Sequence, residues 1–260
     1  AGPGSFGQYM VSKKAGESYK VILGGQGGDE IFGGYARYLV AYLEICLHES
    51  ISIEKNHDKN QLSLKEILPG LSTLDAYKPL IKEFFKSGLF ESLNKRYWNL
   101  INRSKAYNGL ISNDILENDS TRRSFDSLFL SVKSSESPLN KMCNFDLNTL
   151  LPSLLNIEDR VSMAHGLEAR VPFLDHEIIS LVTSMPTSVK FKNGDLKTIL
   201  KSTFKKNIPS VIFDRKDKMG FPIPINNWIN ENKYVKEFVL DIFRSKKARE
   251  RSYFAKKLDI

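Results

Sequence analysis

A chain of 260 residues, 41% hydrophobic and 26% charged, carries enough apolar side chains to bury a large core, as one big domain or two small ones. Its formal net charge of +8 is concentrated late, at Lys205-Lys206, Arg215-Lys216, Lys218 and Lys246-Lys247-Ala248-Arg249, with little aromatic interleaving. That pattern suits solvated helix faces and anionic small molecules better than a nucleic-acid groove. Two cysteines without C-x-x-C spacing, four dispersed histidines and no apolar run near about 18 residues argue against a disulfide framework, a histidine metal cage and a membrane span. They predict reduced core thiols in a cytoplasmic protein.

The chain opens on Ala1-Gly2-Pro3-Gly4-Ser5 without an initiator Met, as though cut from something longer. Residues 6–18 carry a helical pattern, and the aliphatic run at Tyr19 to Leu23 predicts a short buried strand of a parallel sheet. Next comes Leu23-Gly24-Gly25-Gln26-Gly27-Gly28-Asp29-Glu30-Ile31-Phe32-Gly33-Gly34-Tyr35, which holds six of the 16 glycines in thirteen residues. A strand that runs into glycines and then a helix is where α/β proteins bind anions: the backbone can approach closely, and N–H groups at the helix start point outward. Asp29-Glu30 adds acid there, which suits a magnesium ion bound with phosphate. The alternative is a plain glycine turn whose Asp29 caps the helix.

A largely buried helix is expected from Ile31 to Glu49, then a polar loop from Ser50 to Gln61. Short amphipathic helices broken at Pro69-Gly70, Pro79, Gly88 and Asn108-Gly109 fill the stretch to Ser137, and 51–137 reads as a helical insertion. Pro138 to Gly166 is helical again, with an interruption expected at Pro152. Asp175 is expected to cap a helix over Glu177 to Met185 that Pro186 ends. After the turn Asn193-Gly194-Asp195 a helix is expected from Leu196 to Lys206. Gly220 to Pro224 must be loop, and roughly the last forty residues are amphipathic helix. One strong parallel strand with few companions suggests that sheet partners lie upstream of Ala1.

Two further segments carry chemistry. The first runs Ile157-Glu158-Asp159-Arg160-Val161-Ser162-Met163-Ala164-His165-Gly166-Leu167-Glu168-Ala169-Arg170-Val171-Pro172-Phe173-Leu174-Asp175. Its acids and arginines sit among apolar residues, so they are expected to pair with one another or with a charged ligand. The second, Asp214-Arg215-Lys216-Asp217-Lys218-Met219-Gly220-Phe221-Pro222, sets a flexible cation beside a glycine, able to hold phosphate charge as it develops, although taken alone it reads as a solvated basic loop.

In residues and order these three segments resemble the synthetase domain of glutamine-dependent asparagine synthetases, a family that also includes β-lactam synthetases. The glycine segment is similar to S-G-E/Q-G-x-D-E-x-F-G-G-Y, the second to D-R-x-S-M-A-x-x-x-E-x-R-V-P-F-L-D and the third to R-x-K-x-G-F-x-x-P. The resemblance implies an α/β nucleotide-binding fold of the adenine nucleotide α-hydrolase-like type. Residues 1–260 would be its C-terminal part, predominantly helical with a remnant of the parallel sheet. It implies ATP and Mg²⁺, adenylation of the aspartate side-chain carboxylate, and displacement of AMP by glutamine-derived ammonia. On that basis Gly24, Gly25 and Gln26 would line the AMP and acyl-adenylate site, with Tyr35 nearby. Asp29 would hold Mg²⁺-pyrophosphate, Lys218 would meet the phosphates, and Glu168 and Arg170 would brace the site.

There are departures. Gly24 stands where the pattern has serine. Gln26 stands where the family's acidic residue, when present, is proposed to take a proton from ammonia, and an amide is no base near neutral pH. The pyrophosphate loop S-G-G-x-D-S and an N-terminal cysteine nucleophile are not found in these residues, so the chain alone is not expected to make asparagine. Other readings are an enzyme acting on another carboxylate, a basic nucleic-acid-binding helical module, and a non-catalytic scaffold.

Overall fold

A computed structural model describes residues 2–51, 63–68, 75, 77–102, 104, 109–117, 120–132, 137–191, 195–215 and 223–254. Helix α1 (Gly4–Gly16) leads to β1 (Val21–Leu23), and the glycine segment follows. The long helix expected from Ile31 is instead two: α2 (Gly28–Phe32) and α3 (Ala36–Ile51). The break has a backbone cause. Gly33 adopts φ 69, left-handed, and its N–H closes the last turn of α2 on the Asp29 carbonyl. A side chain there would also meet the Phe191 ring at 2.9 Å.

Five short helices follow: α4 (Leu64–Ile67), α5 (Lys78–Phe84), α6 (Leu93–Ile101), α7 (Asn113–Glu117) and α8 (Thr121–Leu130). Four of them, all but α7, contribute to the main core. Ile67, Phe84, Tyr97, Phe125 and Phe129 sit in one core with Tyr38, Leu39 and Tyr42 of α3. Tyr97, Phe125 and Phe129 stack with ring centroids 5.2 to 6.4 Å apart, and Phe145 meets all three. Each buried ring of this size contributes on the order of 1.5–3 kcal/mol.

Phe145 belongs to α9 (Pro138–Met163), the helix against which α1, α2, α3 and α8 pack. Ser137 caps it, accepting from the Asn140 N–H at 3.2 Å. The interruption expected at Pro152 does not occur: the helix runs through it. Proline removes one hydrogen bond and crowds the preceding turn, at a cost of about 3 kcal/mol. The packing of α9 against α1, α2, α3 and α8 outweighs this local cost.

Beyond α9 come β2 (Glu168–Arg170), α10 (His176–Ser184), α11 (Thr187–Lys190), α12 (Thr198–Phe204) and α13 (Ser210–Phe213). Asp175 caps α10 as the sequence requires, accepting from the N–H groups of Glu177 at 2.9 Å and Ile178 at 3.4 Å. The amphipathic C-terminal stretch is α14 (Ile225–Glu231), α15 (Lys233–Arg244) and α16 (Lys246–Arg249), divided by the caps Asn232 and Ser245. Among the described residues no helix is long and apolar enough to cross a membrane. Cys46 and Cys143 are buried and not joined in a disulfide, and desolvation pushes the Cys143 thiol up to about 12.

β1 and β2 form a parallel two-stranded sheet in the register Val21↔Glu168, Ile22↔Ala169, Leu23↔Arg170. The buried strand predicted for β1 is a correction: Leu23 is 74% exposed and Val21 41%. In both strands the middle residue is partly buried and its neighbours are exposed, so the face carrying Val21, Leu23, Glu168 and Arg170 stands in solvent.

Candidate active site

The sheet register decides where the glycine segment stands. Gly24, the first residue past β1, donates its N–H to the Arg170 carbonyl at 2.7 Å, and Glu168 donates to the Lys20 carbonyl at 2.8 Å. The chain therefore leaves the carboxyl end of a parallel strand already fixed by β2, the position at which open α/β sheets bind ligands. Phe173 and Leu174 pack against the turn at Gly28 and Gly27. Two of the three sequence segments are thus brought together, 24–35 and 157–175.

Glu168 and Arg170 brace the site by their backbone, not by buried charge. Their side chains are 57% and 62% exposed and pair with each other at 2.9 Å. Asp159 and Arg160 are exposed as well, with Arg160 donating to Asn156 on its own helix at 3.0 Å. The expected pairing is met by Glu168 and Arg170, but in solvent and not buried, because this face of the two strands is exposed. An exposed pair of this kind contributes about 1 kcal/mol or less. Arg170→Ala is accordingly expected to shift unfolding in urea by less than about 1 kcal/mol; a loss several times larger would show a buried role that the exposed geometry excludes.

Asp29 does not cap α2. The capping position is Gly27, and no side chain caps it. The carboxylate of Asp29 instead meets the ammonium of Lys197 at 2.7 Å, both groups being partly exposed. Lys197 holds φ 57, left-handed, at the N-cap of α12. A non-glycine residue in that region costs on the order of 1–3 kcal/mol and concentrates at functional positions. Sequence reasoning missed Lys197. Its only local signal was a lysine at the start of a helix after a turn, and nothing nearby in the chain names Asp29 as its partner.

Tyr35 is anchored by Glu30, with Asp29 near enough for its charge to act on the phenol. Its hydroxyl donates to Glu30 Oε1 at 2.5 Å, and Arg37 lies 3.8 Å from the centre of its ring. Burial, then the Glu30 hydrogen bond, raises the phenol well above its ordinary range. Glu30 is 1% exposed and borders a cavity of about 470 Å³ with Asn140, Cys143, Asn144 and Lys190. Gly24, Gly25, Gln26 and Asp29 do not line it, so it is separate from the glycine turn.

On the other side of the turn stands Glu158 of α9. A Cβ built on Gly24 would lie 2.5 Å from Glu158 Oε1, so this carboxylate fills the space that a side chain at 24 would need. Gln26 hydrogen-bonds the same carboxylate, and burial raises its pKa. A Cβ on Gly25 would meet nothing within 4 Å, leaving open space beside the pair. Lys218 falls in 216–222, outside the described residues.

Magnesium takes oxygen ligands, commonly one or two carboxylates completed by phosphate oxygens and water. Asp29 supplies one such carboxylate at the turn, and no group of three or more His, Cys, Asp or Glu able to hold a metal occurs among the described residues. Among the described residues this donor set suits an ion whose remaining ligands come from phosphate and water.

The family model for asparagine synthase matches residues 1–258. Glutamine-hydrolysing asparagine synthetase 1 of Bacillus subtilis is 30% identical over 245 residues, covering 92% of this chain and 36% of that protein. A putative glutamine-hydrolysing asparagine synthetase of Mycobacterium tuberculosis is 27% identical over 229 residues, 85% of this chain and 32% of that protein. The human glutamine-hydrolysing asparagine synthetase is 39% identical over 87 residues, 31% of this chain and 15% of that protein. The chain thus spans about a third of the length of the first two relatives, at 36% and 32%. No solved structure matches it significantly.

Proposed function

We propose that this chain, which belongs to the asparagine synthase family, contributes the nucleotide-handling face of an ATP-dependent ligase that turns aspartate into asparagine. The reaction adenylates the aspartate side-chain carboxylate, releases pyrophosphate, and then lets glutamine-derived ammonia displace AMP. The observation that carries this reading is the Asp29–Lys197 pair at 2.7 Å beside a glycine turn at the carboxyl end of a parallel strand.

Each part has a physical task. The backbone at Gly25 has no side chain to hold a ligand off, so a phosphate or acyl-adenylate can come close. Lys197 is a compact cation on a long stem, able to follow charge as it builds on the departing pyrophosphate. Asp29 keeps that ammonium in place before ATP arrives and would hold Mg²⁺ with the phosphates. Bound there, the ion would offset the charge of the triphosphate. By resemblance Lys218 adds a second cation for the phosphates. Tyr35, whose hydroxyl is committed to Glu30, fixes the exit of the turn rather than reaching for the ligand.

The test is substrate-dependent ATP–pyrophosphate exchange by the full-length protein, with aspartate compared against other amino-acid and small carboxylates. Exchange that depends on aspartate, with asparagine formed on adding ammonium, is the expected result. Exchange with a different carboxylate alone would move the substrate assignment, and exchange with none would end the adenylation reading.

A further inference from the structure

Amide formation has a proton to place. When ammonia attacks the acyl-adenylate, a C–N bond forms and the C–O bond to AMP breaks, its electron pair leaving with the phosphate. The nitrogen must shed one proton to become a neutral amide. A positioned base typically accelerates such a step by about a hundredfold to ten-thousandfold. Three acids or amides near the glycine turn are unsuited to it. Gln26 is an amide and cannot take the proton. Asp29 is paired with the Lys197 ammonium at 2.7 Å. Glu30 is 1% exposed and already accepts from Tyr35.

Glu158 differs from all three. It comes from α9, more than a hundred residues along the chain, yet its carboxylate lies in the space left by the missing side chain of Gly24. One of its oxygens, Oε2, is buried and meets no hydrogen-bond partner among the described residues. A buried carboxylate oxygen left unpaired costs on the order of 1–3 kcal/mol, so its persistence points to a proton or ligand that meets it in use. Gln26 donates to the same carboxylate and so orients it, and the open space beside Gly25 gives a reacting group access.

We propose that Glu158 is the proton acceptor for amide formation, the carboxylate having moved from position 26 of the turn to α9, with Gly24 making the room and Gln26 holding it in place. This rests on the ligase reading given above. Burial, the larger influence, raises the pKa of Glu158 and the Gln26 hydrogen bond opposes the rise, which brings the group nearer to the pH at which it must accept a proton.

The experiment uses the full-length protein and two readouts. ATP–pyrophosphate exchange with aspartate reports adenylation, which needs no base for ammonia; ammonium-dependent asparagine formation reports the second step. Glu158→Gln is expected to keep exchange within about threefold of wild type and to lose about a hundredfold or more of amide formation. Adding Gln26→Glu to Glu158→Gln exchanges the two side chains, returns a carboxylate to the turn, and is expected to recover at least about tenfold of the lost rate. A merely structural role for Glu158 would not give that recovery. Amide formation unchanged in Glu158→Gln overturns the proposal, as does a parallel loss of exchange, or an exchanged pair no faster than the single variant. A wild-type protein without aspartate-dependent exchange overturns the ligase reading itself, a result distinct from the others.

Discussion

An Asp29→Asn variant is expected to lose aspartate-dependent ATP–pyrophosphate exchange by about a hundredfold to a thousandfold, the usual consequence of removing one preorganised electrostatic contact to a developing charge. Two effects combine. The neutral amide is a poor magnesium ligand beside phosphate, and the Lys197 ammonium loses the carboxylate that holds it at 2.7 Å. Stability should respond far less. The Asp29 and Lys197 side chains are 24% and 33% exposed, and a pair this open to water contributes about 1 kcal/mol or less. The unfolding midpoint is therefore expected to fall by only about 2–4 °C. Measured exchange within threefold of wild type, in a folded variant, would remove Asp29 from the phosphate site.

The largest effect on the fold is expected away from the site, at Asp146 of α9. Its Oδ2 accepts from Arg37 Nη2 at 2.6 Å, Arg37 Nε at 3.2 Å, Tyr97 Oη at 2.8 Å and the Tyr38 hydroxyl. Asp146 is 2% exposed, and Tyr38 and Tyr97 are fully buried. Burial is the main cause raising both phenols well above their ordinary range, so they remain neutral donors. Asp146→Ala would leave a guanidinium and two hydroxyls without their common acceptor. Breaking a buried pair costs about 3–5 kcal/mol, a large share of the about 5–15 kcal/mol that stabilises a domain. Denaturant titration should show a loss in that range, or no folded protein at 37 °C. Asp146→Leu combined with Arg37→Met removes both charges and should be milder than Asp146→Ala alone. A single variant within about 1 kcal/mol of wild type would mean that the network is not holding α3, α6 and α9 together.

Much of the local structure was readable along the chain. The Asp175 cap of α10, the helix before β1, the strand itself and the glycine turn all follow from residues within one or two turns of each other. Misreadings arose where neighbours in space overrule neighbours in sequence. Pro152 sits inside an unbroken helix because packing against several elements exceeds the local penalty. Val21 and Leu23 look like core strand residues but are exposed, since burial of a strand depends on what lies beside it. The segment 51–137 reads along the chain as a helical insertion, and Phe84, Tyr97, Phe125 and Phe129 from it complete the main core.

The site divides along the same line. Gly24, Gly25, Gln26, Asp29 and Tyr35 could be named as candidates from the sequence because they share one short segment, whose spacing local backbone geometry fixes. Their partners were not. Lys197 reaches Asp29, Glu158 reaches Gly24 and Gln26, and Asp146 reaches Arg37 109 residues away. Spacing along the chain carries no information about such pairs, because they form only when helices pack and desolvate the groups between them. The sequence by itself determined the turn, its glycines and the family to which they belong. Tertiary structure alone decided which charges face that turn, since burial and direction belong to the packed assembly of elements and not to any one of them.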